Sequence, residues 1–316
     1  MGFFNGSNSS ELIVGSNEND TIRGGRGDDT ILGGGGADLL LGNRGEDSIE
    51  GGEGVDTLRG GRSNDTLIGN TEGDLIRGGK GDDLLVWNNG DGSDTMRGGR
   101  GFDTVRVNGA VDEGDNFELR ANGERAEFER LNLGNFVLDV DDVEQFEIDG
   151  LGGDDTLTVQ DLTGTDVQQV IFNGADGNDL LDASLTNVSV IADGGEGEDT
   201  LLGGSADDTL IGGNGNNIYT GGAGADVFVV SFDGIDVIND FNRVEGDILQ
   251  ISRSEFGISS IDDLTYDNTT GILSVRDTQI ADINLDTISP TNIDPNSSLA
   301  LSSSPIFVPG EDIQLV

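Results

Sequence analysis

The chain of 316 residues contains no cysteine and no histidine. Without cysteine there is no disulfide framework and no thiolate chemistry. Without histidine, the commonest zinc ligand and the usual general base near neutral pH are missing. Basic residues are scarce: 16 Lys and Arg stand against 61 Asp and Glu, a formal charge of −45. That balance argues against a nucleic-acid partner, because binding phosphate needs a basic face. No apolar run approaches the roughly 20 residues of a membrane helix, so no membrane span is expected. Residues 1–15 have neither a basic start nor an apolar core, and no cleaved signal peptide is expected there. At 34% hydrophobic residues, composition alone describes a chain that does not offset its own ordering entropy.

What the chain does have is 53 glycines, and they are ordered. From 15 to 86 the sequence divides into eight nonapeptides of the form G-G-x-G-x-D-x-U-x, where U is aliphatic. Two more, 89–97 and 98–106, follow the extra residues Trp87 and Asn88. The sixth place is always Asp: Asp20, Asp29, Asp38, Asp47, Asp56, Asp65, Asp74, Asp83, Asp94 and Asp103. The eighth is always aliphatic or Met: Ile22, Ile31, Leu40, Ile49, Leu58, Leu67, Ile76, Leu85, Met96 and Val105. A flexible Gly-Asp linker would have no core for those residues to line. Carboxylates recurring at one place concentrate negative charge where a cation will sit, so the chain reads as loose without metal and folded with it.

The period lapses and returns. Residues 107–144 alternate instead, and Asn122-Gly123 is a tight-hairpin signal. Single units then begin at Gly150, with Asp155 sixth, and at Gly174, with Asp179 sixth. Four contiguous units fill 194–229, with Asp199, Asp208, Asn217 and Asp226 at their sixth places. The nonapeptide pattern is similar to a known family of solenoid repeats, and the likeness implies an all-β chain, a right-handed parallel β-roll or β-helix solenoid, here with a small antiparallel insertion and a C-terminal β cap. Its expected parts are a polar lead over 1–14, a first roll over 15–106 and the insertion over 107–144. A β-helix tapering into a second roll spans 145–229, a cap 230–289, and a flexible tail 290–316.

In such a coil, two nonapeptides make one turn, each giving a six-residue bend and a three-residue strand. Repeats n and n+2 stack about 4.8 Å apart, with their sixth-place carboxylates in a column. Bare, that column repels itself; a hard dication between successive turns reverses the sign. Calcium takes 6–8 oxygens at about 2.3–2.6 Å. Two carboxylates cannot supply six, so backbone carbonyls must contribute, and glycine permits the positive φ this needs.

The pattern resembles the RTX calcium-binding repeat, and the chain from 15 to about 285 is similar to bacterial secreted RTX (haemolysin-type) proteins. The segment from Gly224 through Asp236 to Leu249 is like the one that closes rolls after protease and haemolysin repeats. The resemblance implies a ligand set. One turn gives carbonyls from its second and fourth places plus its Asp, and the next stacked turn gives carbonyls from its first and third places plus its own. Carried over, the first ion would lie between Ser16, Glu18, Asp20 and Gly33, Gly35, Asp38. The same rule adds Gly25, Gly27, Gly42, Gly51, Gly60, Gly78, Gly194, Gly204, Gly212 and Gly221 to the sixth-place residues. About 8–10 calcium ions are implied in all. Glu18, Ser63 and Glu72 stand where a fourth-place glycine is usual, at about 1 kcal/mol each if φ is positive there. Asn217 lacks its neighbours' charge, which should weaken the site it shares with Asp199.

The usual passengers of such repeats are missing. A chain without histidine cannot carry an H-E-x-x-H protease helix or a Ser-His lipase pair, and no pore-forming apolar helix is present, so no enzymatic activity is expected. The resemblance implies export by a type I secretion apparatus that reads an uncleaved C-terminal signal; the acidic-then-aliphatic end at 311–316 is similar to such signals. The expected location is extracellular or at the cell surface, with folding on calcium after export. Ten ions would take the formal charge to roughly −25.

Two further readings remain open. Arg26, Arg44, Arg62, Lys80 and Arg100 occupy third places of even repeats, and Arg23, Arg59, Arg77 and Arg97 ninth places of odd ones. The ridge they form either grips an anionic surface glycan or is neutralised by Asp28, Glu46 and Asp82 two residues on. A carboxylate-based polysaccharide-active enzyme would need Asp, Tyr and Arg clustered within 107–195. Both tyrosines, Tyr219 and Tyr266, lie outside that span.

Overall fold

The computed structural model describes residues 1–252, 256–258, 260–267, 269–276, 278–285 and 313–315. It is all-β, a parallel β-solenoid in two compact units, Met1–Asn173 and Gly174–Val316. No helix among the described residues is long and apolar enough to cross a membrane.

In the first unit the chain alternates between two parallel sheets. One carries Phe3–Asn5, Thr21–Arg26, Leu39–Arg44, Thr57–Arg59, Leu75–Lys80 and Thr95–Arg100. The other carries Leu12–Val14, Thr30–Gly35, Ser48–Glu53, Thr66–Thr71, Leu84–Asn88 and Thr104–Asn108. Partners in register belong to repeats n and n+2, as in Ile22↔Leu40 and Ile31↔Ile49. All ten eighth-place side chains are fully buried. They form two stacked aliphatic files that are the core, and they explain how a sequence so poor in apolar residues packs: every repeat of the first roll puts one large apolar side chain fully inside.

Most strands are longer than three residues. They run from the seventh place of one repeat to the third place of the next, as in Thr21–Arg26. The ladder survives the corner because the second and fourth places take positive φ, for example Gly25 at 118° and Gly27 at 96°. At Gly45 (φ 124°) a Cβ would also run into the Gly27 carbonyl of the stacked turn, so glycine is needed there twice over. Ser63 (76°) and Glu72 (78°) adopt the same conformation despite their side chains, whereas Glu18 is not among the positive-φ residues.

The lead is part of the roll. Leu12–Val14 pairs with Thr30–Gly35 at the 18-residue offset, Ile13 facing Ile31, so a nonapeptide begins at Gly6. The insertion is a three-stranded antiparallel meander, Asn116–Asn122, Arg125–Arg130 and Phe136–Asp141. Its hairpin turns at Gly123 (φ 72°). The meander is woven into the sheet: Phe136–Asp141 lies parallel to Thr95–Arg100, and Asn116–Asn122 parallel to Thr156–Val159. Beneath it, Trp87 stacks on Phe136 at 3.7 Å, and the Arg130 guanidinium lies over both rings at 5.5 and 5.4 Å. Arg130 is paired at 3.0 Å with Asp115, both buried.

The second unit repeats the plan. Leu180–Asp182, Thr200–Leu202, Ile218–Thr220 and Asp236–Phe241 stack on one side. Ser189–Glu196, Thr209–Ile211, Val227–Val230 and Ile248–Ile251 stack on the other. Leu264–Asp267, Ile272–Val275 and Thr278–Leu285 close the first sheet antiparallel to one another. Ile313–Leu315 adds to Ile248–Ile251 in parallel. The rest of the expected tail, 290–312 and Val316, lies outside the described residues.

Candidate metal centres

Stacking at n+2 draws the sixth-place carboxylates into two buried columns in the first unit. One runs Asp20, Asp38, Asp56, Asp74, Asp94, and the other Asp29, Asp47, Asp65, Asp83, Asp103, each no more than 4% exposed. Successive members are linked head to tail. The backbone N–H of each Asp donates to Oδ1 of the Asp one turn later: Asp38 to Asp56 at 2.7 Å, Asp47 to Asp65 at 2.9 Å, Asp83 to Asp103 at 2.8 Å. In the second unit the columns are Asp179, Asp199, Asn217, Asp236 and Asp208, Asp226, Asp247. Asp155 is buried in the first unit, and its Oδ1 takes the N–H of Asp115 at 2.6 Å.

The second carboxylate oxygen behaves differently. Oδ2 of Asp29, Asp38, Asp47, Asp56, Asp65, Asp74, Asp83, Asp94, Asp103, Asp199, Asp226 and Asp236 is buried without a hydrogen-bond partner. Burial pushes these carboxyls up, offset by the N–H each accepts and reinforced by neighbouring acids. Asp47 rises to about 6, Asp56 to about 7 and Asp65 to about 8. Asp74 and Asp103 rise to about 6, Asp83 to about 7 and Asp94 to about 8. In the second unit Asp199, Asp208, Asp226 and Asp236 rise to about 6 for the same first reason. Asp20, at the first turn, is instead lowered, chiefly by the Ser16 hydroxyl. A buried polar atom with no partner is costly, and a column of them asks for a cation. The donors are all oxygen, which suits a hard ion such as calcium and not a thiophilic metal.

The glycines divide by role. First-place glycines shelter the orphaned oxygen: Cβ atoms at Gly33, Gly42, Gly51, Gly60, Gly78, Gly194 and Gly221 would collide with Oδ2 of the Asp five residues on. At Gly33 that approach is 2.6 Å. At Gly212 the obstacles are the Tyr219 hydroxyl and the Asn217 amide. Gly204 donates its N–H to Asp208 Oδ2 at 2.7 Å. Gly35 is unlike these; a Cβ there would meet only ordinary contacts from 3.5 Å. Gly25 and Gly27 supply the positive φ of the corner.

The carbonyls assigned to the ion are occupied between turns. Ser16 O accepts from Gly35 N at 2.9 Å, Gly60 O from Asn43 N at 2.8 Å, and Arg62 O from Gly45 N at 3.3 Å. First-, second- and third-place carbonyls thus carry the interturn ladder, each keeping a second lone pair.

Four ladder residues escaped the sequence reading. Glu11 is the sixth place of the nonapeptide from Gly6, and its N–H bonds Asp29 Oδ1 at 2.9 Å. Asp115 sits in the aperiodic insertion. Asp236 and Asp247 extend the second-unit columns past 229, where the nine-residue spacing that would have flagged them is lost. Asp141, Asp142 and Asp166 also approach one another, with oxygens within 4.8 Å. Arg97 and Arg125 already neutralise that group, through Asp142 and Asp141 respectively.

The RTX calcium-binding nonapeptide repeat family matches residues 5–40, 14–49, 33–67, 59–86, 88–112 and 193–228. The first match includes the Gly6 unit. No curated protein matches the chain. Among solved structures, the extracellular lipase LipA from Serratia marcescens is similar over 80% of this chain, at 19% identity and a TM-score of 0.27. The chain spans 43% of that lipase's length. Repeats matched in both units, and the carboxylate columns those repeats build, support an RTX-type calcium-binding β-roll protein.

Proposed function

We propose that the protein works outside the cell, leaves it by a type I apparatus as a loose chain, and folds when calcium fills the carboxylate columns. Its role on this reading is structural or at the cell surface, without catalysis. The ligands are the sixth-place residues of both units, joined by Glu11, Asp236 and Asp247, with carbonyls of the same corners completing each set. What carries the reading is the run of buried Oδ2 atoms without partners. A bound dication supplies the positive charge these oxygens lack. The chain's part is to hold them one turn apart, exclude water with the aliphatic files, and keep side chains off the first-place glycines. Sites with Kd of about 10⁻⁴–10⁻³ M stay empty at cytosolic calcium and fill outside, so compartment sets the fold.

The test is a calcium titration in a metal-free background, read by far-UV circular dichroism and by Trp87. That residue is the only tryptophan and is fully buried beneath the meander. A cooperative gain of β signal and a blue-shifted emission are expected between about 0.1 and 5 mM calcium, and not with magnesium. A full β spectrum in chelator would remove the switch.

A second reading concerns an anionic surface glycan on the Arg/Lys ridge. It is favoured by one observation: two of the three acids proposed to neutralise the ridge, Asp28 and Asp82, are otherwise engaged. Asp28 Oδ1 takes the N–H of Glu46, and Asp82 Oδ1 that of Phe102, while none of the three acids pairs with a ridge cation.

A further inference from the structure

The ridge is two parallel rails. In register across the sheet stand Arg23, Leu41, Arg59, Arg77 and Arg97, one residue per strand. Three residues further along the chain from each stand Arg26, Arg44, Arg62, Lys80 and Arg100, with Arg26 beside Arg44 and Lys80 beside Arg100. All nine cations are exposed. Between the rails run the second-place residues, four glycines and Asn43, at φ from 81° to 124°. Side chains flank a floor that has almost none. The result is a trough, and its middle holds a hollow of about 290 Å³ lined by Leu41, Asn43, Arg59, Gly60, Gly61 and Arg62.

Ion pairs hold the rail residue Arg97 and five cations off the rails, Arg106, Arg120, Arg125, Arg130 and Arg276, among the described residues. The other eight rail cations make no ion pair, side-chain hydrogen bond or ring contact among the described residues. In a chain of charge −45, with acids in every corner, eight unpaired cations in two files are not the outcome of neutralisation. Nor does the repeat itself demand them. Third- and ninth-place residues of second-unit repeats, Asp176, Glu196, Asn214, Ile211 and Val229, line a hollow of about 550 Å³ that holds no cation.

We propose that the first-unit trough binds a linear anionic polysaccharide lengthwise, with about one charge per sugar; this rests on the anionic-glycan reading and specifies its ligand. The rails repeat at the strand spacing of about 4.8 Å, close to the advance of an extended pyranose chain per ring. A sugar can therefore lie on each glycine step with its acid group turned to a rail. Seven of the eight free cations are arginines, whose planar fork takes a carboxylate or a sulfate through two donors. A sparsely phosphorylated glycan would meet only one or two rail positions. Single-stranded nucleic acid needs aromatic platforms for its bases, and neither rails nor floor contain an aromatic. Calcium loading is a precondition, since it lowers the charge that would repel a polyanion.

The experiment uses the full chain saturated with calcium and end-labelled oligosaccharides, read by fluorescence anisotropy. The probes are an oligogalacturonate, with a charge on every sugar, a hyaluronan oligomer of equal total charge on alternate sugars, a neutral malto-oligosaccharide, and oligo(dT). Oligogalacturonate should bind tightest, with affinity falling as salt rises. The variant Arg44→Gln/Arg62→Gln/Lys80→Gln should lose about tenfold or more while still folding on calcium as read by Trp87. Glu50→Gln/Glu53→Gln on the opposite sheet should change nothing. Should the triple variant fold poorly, Arg59→Gln/Arg77→Gln on the other rail serves instead. Equal binding of both anionic sugars overturns the one-charge-per-sugar register and leaves the anionic-glycan reading standing. No saccharide binding, or full binding by the rail variants, overturns both. Preference for oligo(dT) overturns the occupant.

Discussion

Replacing Asp65 by Asn should move the metal-free and calcium-bound states in opposite directions. Asp65 is 1% exposed. Its Oδ1 takes the Asp47 N–H at 2.9 Å and its Oδ2 has no partner. At about 1.4 kcal/mol per pH unit, lifting this carboxyl from 3.8 to about 8 costs about 5 kcal/mol when the roll closes at pH 8 without metal. Asparagine removes that cost and keeps the Oδ1 acceptor. Its amide N–H groups are then buried against the Gly60 corner, at about 1–3 kcal/mol. The net expectation is about 2–4 kcal/mol of stabilisation in chelator. The protein contains a precedent in Asn217, whose Oδ1 accepts the Asp199 N–H at 2.9 Å in the same way. The assay is refolding driven by trimethylamine oxide in chelator, followed by Trp87 emission, beside calorimetric calcium stoichiometry. Asp65→Asn should refold at lower osmolyte and bind about one or two fewer ions; Asn217→Asp should do the reverse. An unchanged or higher osmolyte midpoint would refute the view that carboxylate burial opposes metal-free folding. Undiminished stoichiometry would remove Asp65 from the ligand set.

Other outcomes follow from the same geometry. Because burial raises the ladder carboxyls, the metal-free fold is favoured below their unfolded value near 3.8 and loses that support as pH rises through about 6 to 8. Circular dichroism in chelator should therefore show more β structure at pH 5 than at pH 8, and the opposite order would count against the ladder. Ser63→Gly and Glu72→Gly, at φ 76° and 78°, should each stabilise the calcium-loaded protein by about 1 kcal/mol in denaturant melts; Glu18→Gly should not. Gly60→Ala places a methyl against Asp65 Oδ2 and should cost calcium ions and more than about 2 kcal/mol. Gly35→Ala, with contacts no closer than 3.5 Å, should be nearly silent, and equal effects would deny the two glycines different roles.

Much of this was legible in the sequence because one period fixes two things at once. An aliphatic residue at every eighth place and an Asp at every sixth can be satisfied together only by stacking at n+2, and both columns follow. The Gly6 unit was missed because serines hide its glycine pattern and Glu11 replaces the expected Asp. Asp236 and Asp247 were missed because ladder spacing lengthens to 19 and 21 residues there. The meander's third strand, Phe136–Asp141, could not be read from alternation, since its place is set by the edge of Thr95–Arg100. Sequence also aligned the cations on one side, but could not tell which would find an acid. Arg97 does so only because the meander returns Asp142 to it.

The head-to-tail link between sixth-place residues gives the roll a direction. Each Asp offers its N–H to the carboxylate of the turn after it, never the turn before. Trimming a turn from the N-terminal side therefore frees a carboxylate oxygen, which an ion or water can serve. Trimming from the C-terminal side strips the acceptor from an N–H, a donor that no cation can serve. The structure meets that demand at the end of one first-unit column with a substitute: Glu144 takes the N–H of Asp103 at 2.8 Å. Lengthening and shortening such a roll is thus a one-sided operation, tolerant at its beginning and governed at its end by whichever acid arrives to receive the last N–H.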